Sequence, residues 1–267
     1  MTSVAMRPNP VREMLLGGGV AIGPMIFEFF TPGLFAICAR AGADYVLLDM
    51  KHSGLGTDTL RMLLATARGA GVAPFVRVPG NAPHLIAPVL DAGALGIMVP
   101  LVEDRDQAEA LASACRYRPA GRRGLGFSIA HDDFGAGDIG PKIREANERT
   151  LVIALIESER GIRNADAILS VPGIDVGWLG HFDLTDSMGF AGDFDRPEFS
   201  ASVDTLLAAC AHHGKAAGVQ ATSVAQSLAW RSRGFRCLGY SADTGLFRDA
   251  LAEGIASVRA GSSPRAA

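Results

Sequence analysis

Residues 45–55 read YVLLDMKHSGL, an apolar run that stops at Asp49 and is followed at once by Lys51 and His52. A short run that is apolar throughout, without polar alternation, is typical of a parallel strand covered on both faces. An acid, a base and an imidazole at the end of such a strand suit a catalytic site better than a solvated loop. The segment therefore predicts a buried parallel strand with a functional carboxyl end.

Seven further apolar runs alternate with helical patterns along the 267 residues: 20–26, 73–78, 96–102, 151–157, 175–180, 216–221 and 235–240. Eight strands joined by helices favour an α/β fold of the closed (β/α)8 TIM-barrel type, which commonly needs about 250 residues. A doubly wound open sheet is the structural alternative. No linker or internal repeat is visible, so we expect a single barrel domain over residues 1–267. The tail at 261–267 is expected to fray.

Residues 116–149 interrupt this alternation. The stretch is rich in Gly, Arg and Asp, and it predicts a long loop behind the fourth strand and its helix. Long loops in compact domains are often functional. His131, inside this loop, is therefore either a residue of the site or a solvated one.

The composition argues against nucleic-acid and membrane partners. The net charge is −3, and the sequence contains no apolar run of the about 18 residues that a membrane span needs. Arg7 and Arg12 precede an apolar stretch as in a signal peptide, but Glu13 and three glycines interrupt it. We expect a cytoplasmic protein with no nucleic-acid partner. Its widely spaced cysteines suit reduced core residues: Cys38, Cys115, Cys210 and Cys237.

In a (β/α)8 barrel, active-site residues lie at the carboxyl ends of the strands. Those positions collect seven polar side chains: Asp49, Lys51, His52, Arg77, Glu157, His181 and Asp183. They follow the second, third, fifth and sixth predicted strands. We therefore expect them to meet at one end of the barrel.

Glu157 and Asp183 each follow an apolar run, where an unpaired charge would be costly. Two carboxylates with open positions suit a hard divalent cation, Mg²⁺ or Mn²⁺, with Co²⁺ and Zn²⁺ as further candidates. A salt bridge to Arg77 or Lys51 is the alternative. A 2-keto acid could add its keto and carboxylate oxygens, and the cation and Arg77 would then stabilise an enolate.

His52 carries an imidazole, the side chain best suited to proton transfer under physiological conditions, and is the candidate general acid or base. Asp49 or Asp91 could orient it. Asp91 lies near the C-terminal end of a predicted helix, where the dipole disfavours a negative charge, so a role beyond local stability is indicated. His212 and His213 end another helix, and dipole complementarity explains them better than metal binding does.

Six segments share an order and spacing that point to one family: GADYVLLDMKHSG, VRVPGNAPHLIAPVLDAGALGIMVPLVED, CRYRPAGRRG, VIALIESERGIRNADAILSVPGIDVGWLGHFDLTDSMG, GKAAGV and GYSADTGLF. Together they resemble the HpcH/HpaI family of class II, pyruvate-dependent aldolases, over about residues 13–258. The resemblance implies a barrel of the phosphoenolpyruvate/pyruvate-domain type, assembled as a hexamer with the last helix exchanged between subunits. It implies metal-dependent cleavage or formation of 4-hydroxy-2-oxo acids through a pyruvate enolate, with a 2-keto acid and an aldehyde as partners.

The resemblance also implies roles at the pyruvate end of the site. Glu157 and Asp183 are the implied metal ligands, and Arg77 contacts the keto oxygen and polarises it. Backbone N–H groups near Phe182 and Asp183 are implied to hold the pyruvate carboxylate.

Further implied roles concern proton transfer and the aldehyde. His52 belongs to the acid–base machinery, with Asp49 and Asp91 at supporting acidic positions. Asp91 is implied to reach the site of a neighbouring subunit. Gln220 lies where the family often has an apolar residue facing the aldehyde, which favours a more polar substrate here.

Three residues depart from the family pattern: Lys51 stands for a Glu, Leu155 for a Gln and His181 for a Pro. The first two family residues normally serve waters around the metal. A metal affinity or proton route different from the family norm is therefore expected.

These departures leave four alternatives open. Lys51 could replace the metal by lying between Glu157 and Asp183, or form a Schiff base with the substrate. The barrel could bind keto acids without turnover. Finally, the basic segment 116–124 could hold the phosphates of a CoA thioester, as in a citryl-CoA or malyl-CoA lyase, although a solvated or interface loop explains that segment better.

Overall fold

A closed barrel of eight parallel strands forms the centre of the computed structural model, which describes residues 6–261. Each strand pairs with the next along the chain, and the last pairs with the first. The (β/α)8 prediction is confirmed, and the open sheet is excluded by the pairing of the first and last strands. The tail expected to fray lies, beyond its first residue, outside the described residues. The strands are β1 (Ala21–Ile26), β2 (Tyr45–Asp49), β3 (Ala73–Arg77), β4 (Gly96–Val99), β5 (Leu151–Ile156), β6 (Val176–Leu179), β7 (Ala216–Ala221) and β8 (Cys237–Ala242).

Helices surround the barrel. Two of them begin with side-chain caps: Asp104 accepts the N–H of Gln107, and Ser223 accepts that of Gln226. Within residues 6–261 the α-helices are α1 (Pro10–Leu16), α2 (Leu34–Arg40), α3 (Thr57–Ala67), α4 (Pro83–Asp91), α5 (Arg105–Cys115), α6 (Ile139–Arg149), α7 (Glu159–Arg163), α8 (Ala165–Leu169), α9 (His181–Ser187), α10 (Pro197–His212), α11 (Val224–Arg233) and α12 (Asp243–Arg259).

Aromatic rings and small residues share the interior of the barrel. Tyr45 of β2 stacks on Phe75 of β3, with ring centroids 4.9 Å apart. Gly96 begins β4 beside this pair, and a Cβ there would lie 2.4 Å from the Phe75 ring. Glycine is therefore required at position 96 so that the ring can fill the interior.

A second apolar layer lies between the strands and the helices, where outward residues such as Val46 of β2 meet inward ones such as Leu63 of α3. The amino end of the barrel is closed by α1, whose Val11 and Leu15 pack with the interior residues. The carboxyl end is consequently the end at which a ligand can enter.

The segment that follows α5 is partly helical, which corrects the prediction of a long loop there. A 3₁₀-helix covers Ala130–Asp132, and α6 follows before β5. Ile143 and Ala146 lie on one face of α6 and pack in a small cluster with Tyr117. The glycines and charged residues around α6 concealed this apolar spacing.

Asp243 ties the start of α12 to the loop after β1. Its carboxylate accepts the N–H groups of Phe27, Glu28 and Phe29 at 3.1, 2.9 and 2.7 Å. Three charge-assisted hydrogen bonds to consecutive amides hold the seam between the first and last strands at the open end of the barrel.

No helix among residues 6–261 combines the length and the apolar character needed to cross a membrane. The cysteine prediction is confirmed, because all four are buried free thiols. Burial raises the pKa of Cys115, Cys210 and Cys237 to about 12, so these thiols are poor nucleophiles at neutral pH.

A buried ion pair stabilises the segment between α5 and α6. Asp132 Oδ2 lies 2.7 Å from Lys142 Nζ, and the same carboxylate accepts the N–H groups of Ser128 and Ile129. Burial opposes the charge on Asp132, but the hydrogen bonds from Lys142 and the two amides outweigh it and lower the pKa. The folded state therefore favours the ionised carboxylate.

We predict that Asp132→Asn lowers the free energy of unfolding by about 3–5 kcal/mol at pH 7, because it leaves the Lys142 charge buried and unpaired. Since the pKa of Asp132 is lower in the folded chain, the wild-type advantage is complete above about pH 4 and is lost as pH falls through the folded pKa. Urea unfolding between pH 7 and pH 3 measures this. Asp138→Asn, at an exposed position nearby, is the matched control. Equal midpoints for wild type and Asp132→Asn at pH 7 would contradict the prediction.

Candidate active site

A cavity of about 520 Å³ opens at the carboxyl end of the barrel. It collects six of the eight residues that the sequence proposes for the site: His52, Arg77, Glu157, Phe182, Asp183 and Gln220. These residues stand at the ends of β2, β3, β5, β6 and β7, or directly behind them. Of the seven side chains expected to meet at one end of the barrel, five line this cavity: His52, Arg77, Glu157, His181 and Asp183.

Asp49 ends β2 behind the wall of this cavity and is completely buried. Its carboxylate accepts Arg77 Nε at 2.6 Å and the N–H groups of Lys51 and His52 at 3.1 and 2.8 Å. It therefore fixes the guanidinium at the cavity wall and folds the turn after β2. The sequence suggests that Asp49 orients His52. In the structure the Asp49 carboxylate contacts His52 through its backbone N–H.

Glu157 follows β5, and its side chain is 2% exposed. Its Oε1 accepts the N–H of Leu101 at 3.1 Å, and Leu101 has a φ of 54°, which residues other than glycine rarely adopt. A Cβ at Gly180 would lie 2.4 Å from the Glu157 Cβ, so only glycine allows the turn after β6 to pass this carboxylate. The surrounding backbone is thus shaped around a buried acid.

The Lys51 ammonium lies between the two predicted metal ligands. Its Nζ is 3.1 Å from Glu157 Oε1 and 3.4 Å from Asp183 Oδ2. A salt bridge to Lys51 is one of the two that the sequence offers as the alternative to a metal ion. Arg77, the other candidate partner, pairs with Asp49.

The two carboxylates influence each other. Burial, helped by the contact with Asp183, raises the pKa of Glu157 to about 7 against the charge of Lys51. Burial acts in the same direction on Asp183, but the hydrogen bond with Glu157 and the Lys51 charge outweigh it and lower the pKa of Asp183. Both carboxylates therefore interact with each other and with the single positive charge of Lys51.

The donor set fits a divalent cation. Glu157 and Asp183 supply carboxylate oxygens, which Mg²⁺ and Mn²⁺ prefer, and the contacts with Lys51 show that both oxygens face one positive charge. These two residues would hold the ion. The ammonium lies between the same oxygens, so it would have to move.

The opposite wall of the cavity is polar and comes from β7, β8 and the first turns of α12. Gln220 Nε2 donates to the carbonyl of Ser241 at 2.6 Å, and Ser241 has a φ of 55°. Thr222, Thr244 and Arg248 complete this wall. Sequence reasoning missed these four neighbours of Gln220, because their only signal was a place near the ends of the last two strands.

His181 lines the cavity and is buried in an aromatic cluster. Its ring centroid lies 4.5 Å from that of Phe182 and 5.3 Å from that of Phe194. Burial lowers the pKa of His181 to about 4, so the imidazole is neutral at neutral pH.

Other candidate residues lie elsewhere. Asp91 ends α4 and pairs with Arg123 at 2.6 Å, outside the cavity of its own chain. His131 is buried beneath the loop, with Nε2 3.3 Å from the Tyr117 hydroxyl, so it is neither solvated nor in the cavity. A role for Asp91 at a neighbouring site stays a prediction.

His212 and His213 both contact Asp166 Oδ1, at 3.0 and 2.8 Å. Asp166 belongs to the first turn of α8, and the two histidines end α10. These contacts link two neighbouring helices at positions that do not line the cavity.

A model of the HpcH/HpaI aldolase/citrate lyase family matches residues 26–250. The chain belongs to this family. The match runs from the end of β1 to the first half of α12 and includes every cavity residue named above. The predicted resemblance is confirmed, and the chain is an enzyme of the carbon–carbon lyase kind.

Individual relatives of the family are similar over most of the chain. A 2-keto-3-deoxy-L-rhamnonate aldolase from Shigella sonnei is 33% identical over 260 residues, 96% of both chains. A hydroxypyruvate/pyruvate aldolase from Roseobacter denitrificans is 35% identical over 186 residues, 70% of this chain and 72% of the relative. The crystal structure of an HpcH/HpaI aldolase from Desulfitobacterium hafniense superimposes with a TM-score of 0.89 at 27% identity, covering 98% of this chain and 99% of that one.

We predict that Asp49→Asn lowers kcat/KM for aldol cleavage by about 10- to 100-fold, because a neutral amide no longer fixes the Arg77 guanidinium. Steady-state kinetics of aldol cleavage measure the loss. Asp44→Asn is the matched control: Asp44 precedes β2 at the opposite end of the barrel, where it accepts the N–H of Ile22. Wild-type activity in Asp49→Asn would show that Arg77 needs no such partner.

Proposed function

We propose that this enzyme is a metal-dependent aldolase that cleaves or forms 4-hydroxy-2-oxo acids through a pyruvate-type enolate. The observation that carries the proposal is the presence of Arg77, His52, Glu157 and Asp183 around one cavity at the carboxyl end of the barrel. Two relatives support it, since their names specify a 2-keto-3-deoxy acid and hydroxypyruvate or pyruvate as substrates.

The keto acid is proposed to bind with its carboxylate at the start of α9. Phe182 and Asp183 belong to the first turn of this helix, where backbone N–H groups have no partner within the helix. Arg77 then faces the keto oxygen. Its guanidinium is held by Asp49 and 11% exposed, so little reorientation is needed when negative charge develops on that oxygen.

His52 is proposed to move the proton. In cleavage, its imidazole accepts the proton of the 4-hydroxyl while the bond between C3 and C4 breaks, which releases the aldehyde and leaves the electron pair in the enolate. Return of a proton to C3 gives pyruvate. The side chain of His52 is exposed and lines the cavity, as proton exchange with solvent requires.

Glu157 and Asp183 are proposed to hold Mg²⁺ or Mn²⁺. When bound there, the ion supplies further positive charge beside the enolate oxygen. Gln220 and the hydroxyls near it favour a hydroxylated aldehyde over an apolar one, because buried apolar groups would leave these polar atoms without partners.

The other candidate functions have less support. Two of the four arginines in segment 116–124 are buried in ion pairs, Arg116 with Asp175 and Arg123 with Asp91. They are therefore turned away from any phosphate. The Lys51 ammonium would have to leave two carboxylates before it could attack a keto carbon as a Schiff-base nucleophile.

We predict that Glu157→Gln lowers kcat by about 100-fold or more and abolishes Mn²⁺ binding, because the amide is a poor replacement for a charged ligand. Chelator-treated wild type should lose activity and regain it with Mg²⁺ or Mn²⁺. Glu159→Gln, an exposed position in α7, is the matched control. Equal turnover of chelator-treated and metal-loaded protein would rule out metal dependence, and full activity of Glu157→Gln would rule out this ligand.

We also propose a homo-oligomer, and a hexamer as the family implies, in which α12 packs against another copy of the chain. The helix buries one of its own residues, Asp243, and exposes five large apolar side chains: Leu246, Phe247, Leu251, Ile255 and Val258. A row of this kind on a single helix indicates a partner surface. The four buried thiols agree with the reducing cytoplasm as the place of assembly.

We predict that Leu251→Asp combined with Ile255→Asp converts the oligomer into smaller species, down to the 27.9 kDa chain, because charges replace the apolar contacts. Light scattering after size exclusion measures the mass. Glu253→Lys, on the same helix, changes the charge without removing an apolar group and should leave the mass unaltered. A wild type that already elutes as a 27.9 kDa monomer would overturn the proposal.

A further inference from the structure

Lys51 occupies a defined place among the charges of the proposed metal site. Its backbone N–H is held by the buried carboxylate of Asp49, so the side chain leaves the main chain from a fixed position. Its ammonium contacts Glu157 and Asp183, and the side chain is 17% exposed. The lysine is therefore part of the site and not a solvated side chain beside it.

The charges around this ammonium decide what else can bind. Arg77 and Asp49 form a neutral pair, as do Arg248 and Asp249 at the cavity rim. Glu157 and Asp183, once ionised, carry two negative charges that a divalent ion neutralises by itself. The ion and the Lys51 ammonium together leave one excess positive charge beside Glu157, which is 2% exposed, and Asp183, which is 52% exposed.

A 2-keto acid brings the missing negative charge. Its carboxylate restores neutrality only when the ion and the Lys51 ammonium are both present. Without the lysine, the ion alone would already neutralise the two carboxylates, and the keto acid would add an excess negative charge. With Lys51 in this position, binding of the divalent ion and the keto acid together is favoured over binding of the ion alone.

We propose that Lys51 is a tethered cation that competes with the divalent ion for Glu157 and Asp183, so that metal and keto acid bind cooperatively. This inference rests on the proposed function, because it requires that these two carboxylates bind the metal. Metal affinity is low while the ammonium holds both carboxylates, and it rises when the keto acid is bound. By linkage, the metal strengthens keto-acid binding by the same factor.

The experiment is a calorimetric titration of Mn²⁺ into metal-free protein, with and without saturating pyruvate. We expect Lys51→Met to bind Mn²⁺ about 10- to 100-fold more tightly than wild type in the absence of pyruvate, the range that hydrogen bonds to a charged group provide. Pyruvate should tighten Mn²⁺ binding about tenfold or more in wild type and clearly less in Lys51→Met. The counting of free Mn²⁺ by electron paramagnetic resonance gives an independent measurement.

Two variants keep the test clear. Lys51→Arg retains the charge and should behave like wild type. If Lys51→Met does not fold, Lys51→Ala takes its place as the variant without the charge. Lys215→Met makes the same change before β7, at the opposite end of the barrel, and should leave Mn²⁺ affinity unchanged. Thermal unfolding of each metal-free variant reports whether it is folded.

The outcomes separate the inference from the function on which it rests. If Glu157→Gln abolishes Mn²⁺ binding and Lys51→Met binds Mn²⁺ as wild type does, competition by Lys51 is wrong and the metal site stands. An equal effect of pyruvate in wild type and Lys51→Met likewise rejects Lys51 as the source of the cooperativity. If Glu157→Gln binds Mn²⁺ as tightly as wild type, the proposed metal site itself is wrong.

Discussion

The pairing of β8 with β1 is the constraint on which the rest of the molecule depends. A closed parallel barrel directs all eight strands the same way, so side chains far apart in sequence stand on one ring. Lys51 and Glu157 are 106 positions apart and still form a hydrogen bond across the ring. The interior packing beneath them, closed by α1, leaves the carboxyl end as the open one.

The chemistry of this ring begins with a buried acid. Glu157 is almost completely enclosed, and its charge is matched by the Lys51 ammonium and by the N–H that the left-handed backbone of Leu101 supplies. Gly180 leaves just enough room for it. An acid in such surroundings favours whatever cation reaches it, which makes the identity of that cation the central question about this enzyme.

Much of the fold could be predicted from the sequence, because each strand is a short apolar run and β2 ends exactly where its run meets Asp49. The fourth run predicts a strand over 96–102, but β4 ends at Val99, since Pro100 has no N–H for the ladder. The side chains that meet at the strand ends followed from the barrel rule. Their partners did not, because Lys51 and Arg77 were equally able to pair with Glu157, and nothing in the sequence places Arg123 beside Asp91.

Asp243 belongs to two parts of the molecule at once. Its carboxylate holds three consecutive amides of the loop after β1, and its backbone begins α12, whose exposed apolar side chains lie farther along the same helix. Thr244 and Arg248, within two turns of that carboxylate, form part of the cavity wall. A neighbouring subunit bound to the outer turns of α12 would therefore act on the cavity wall through the same helix, which Asp243 anchors at its first turn.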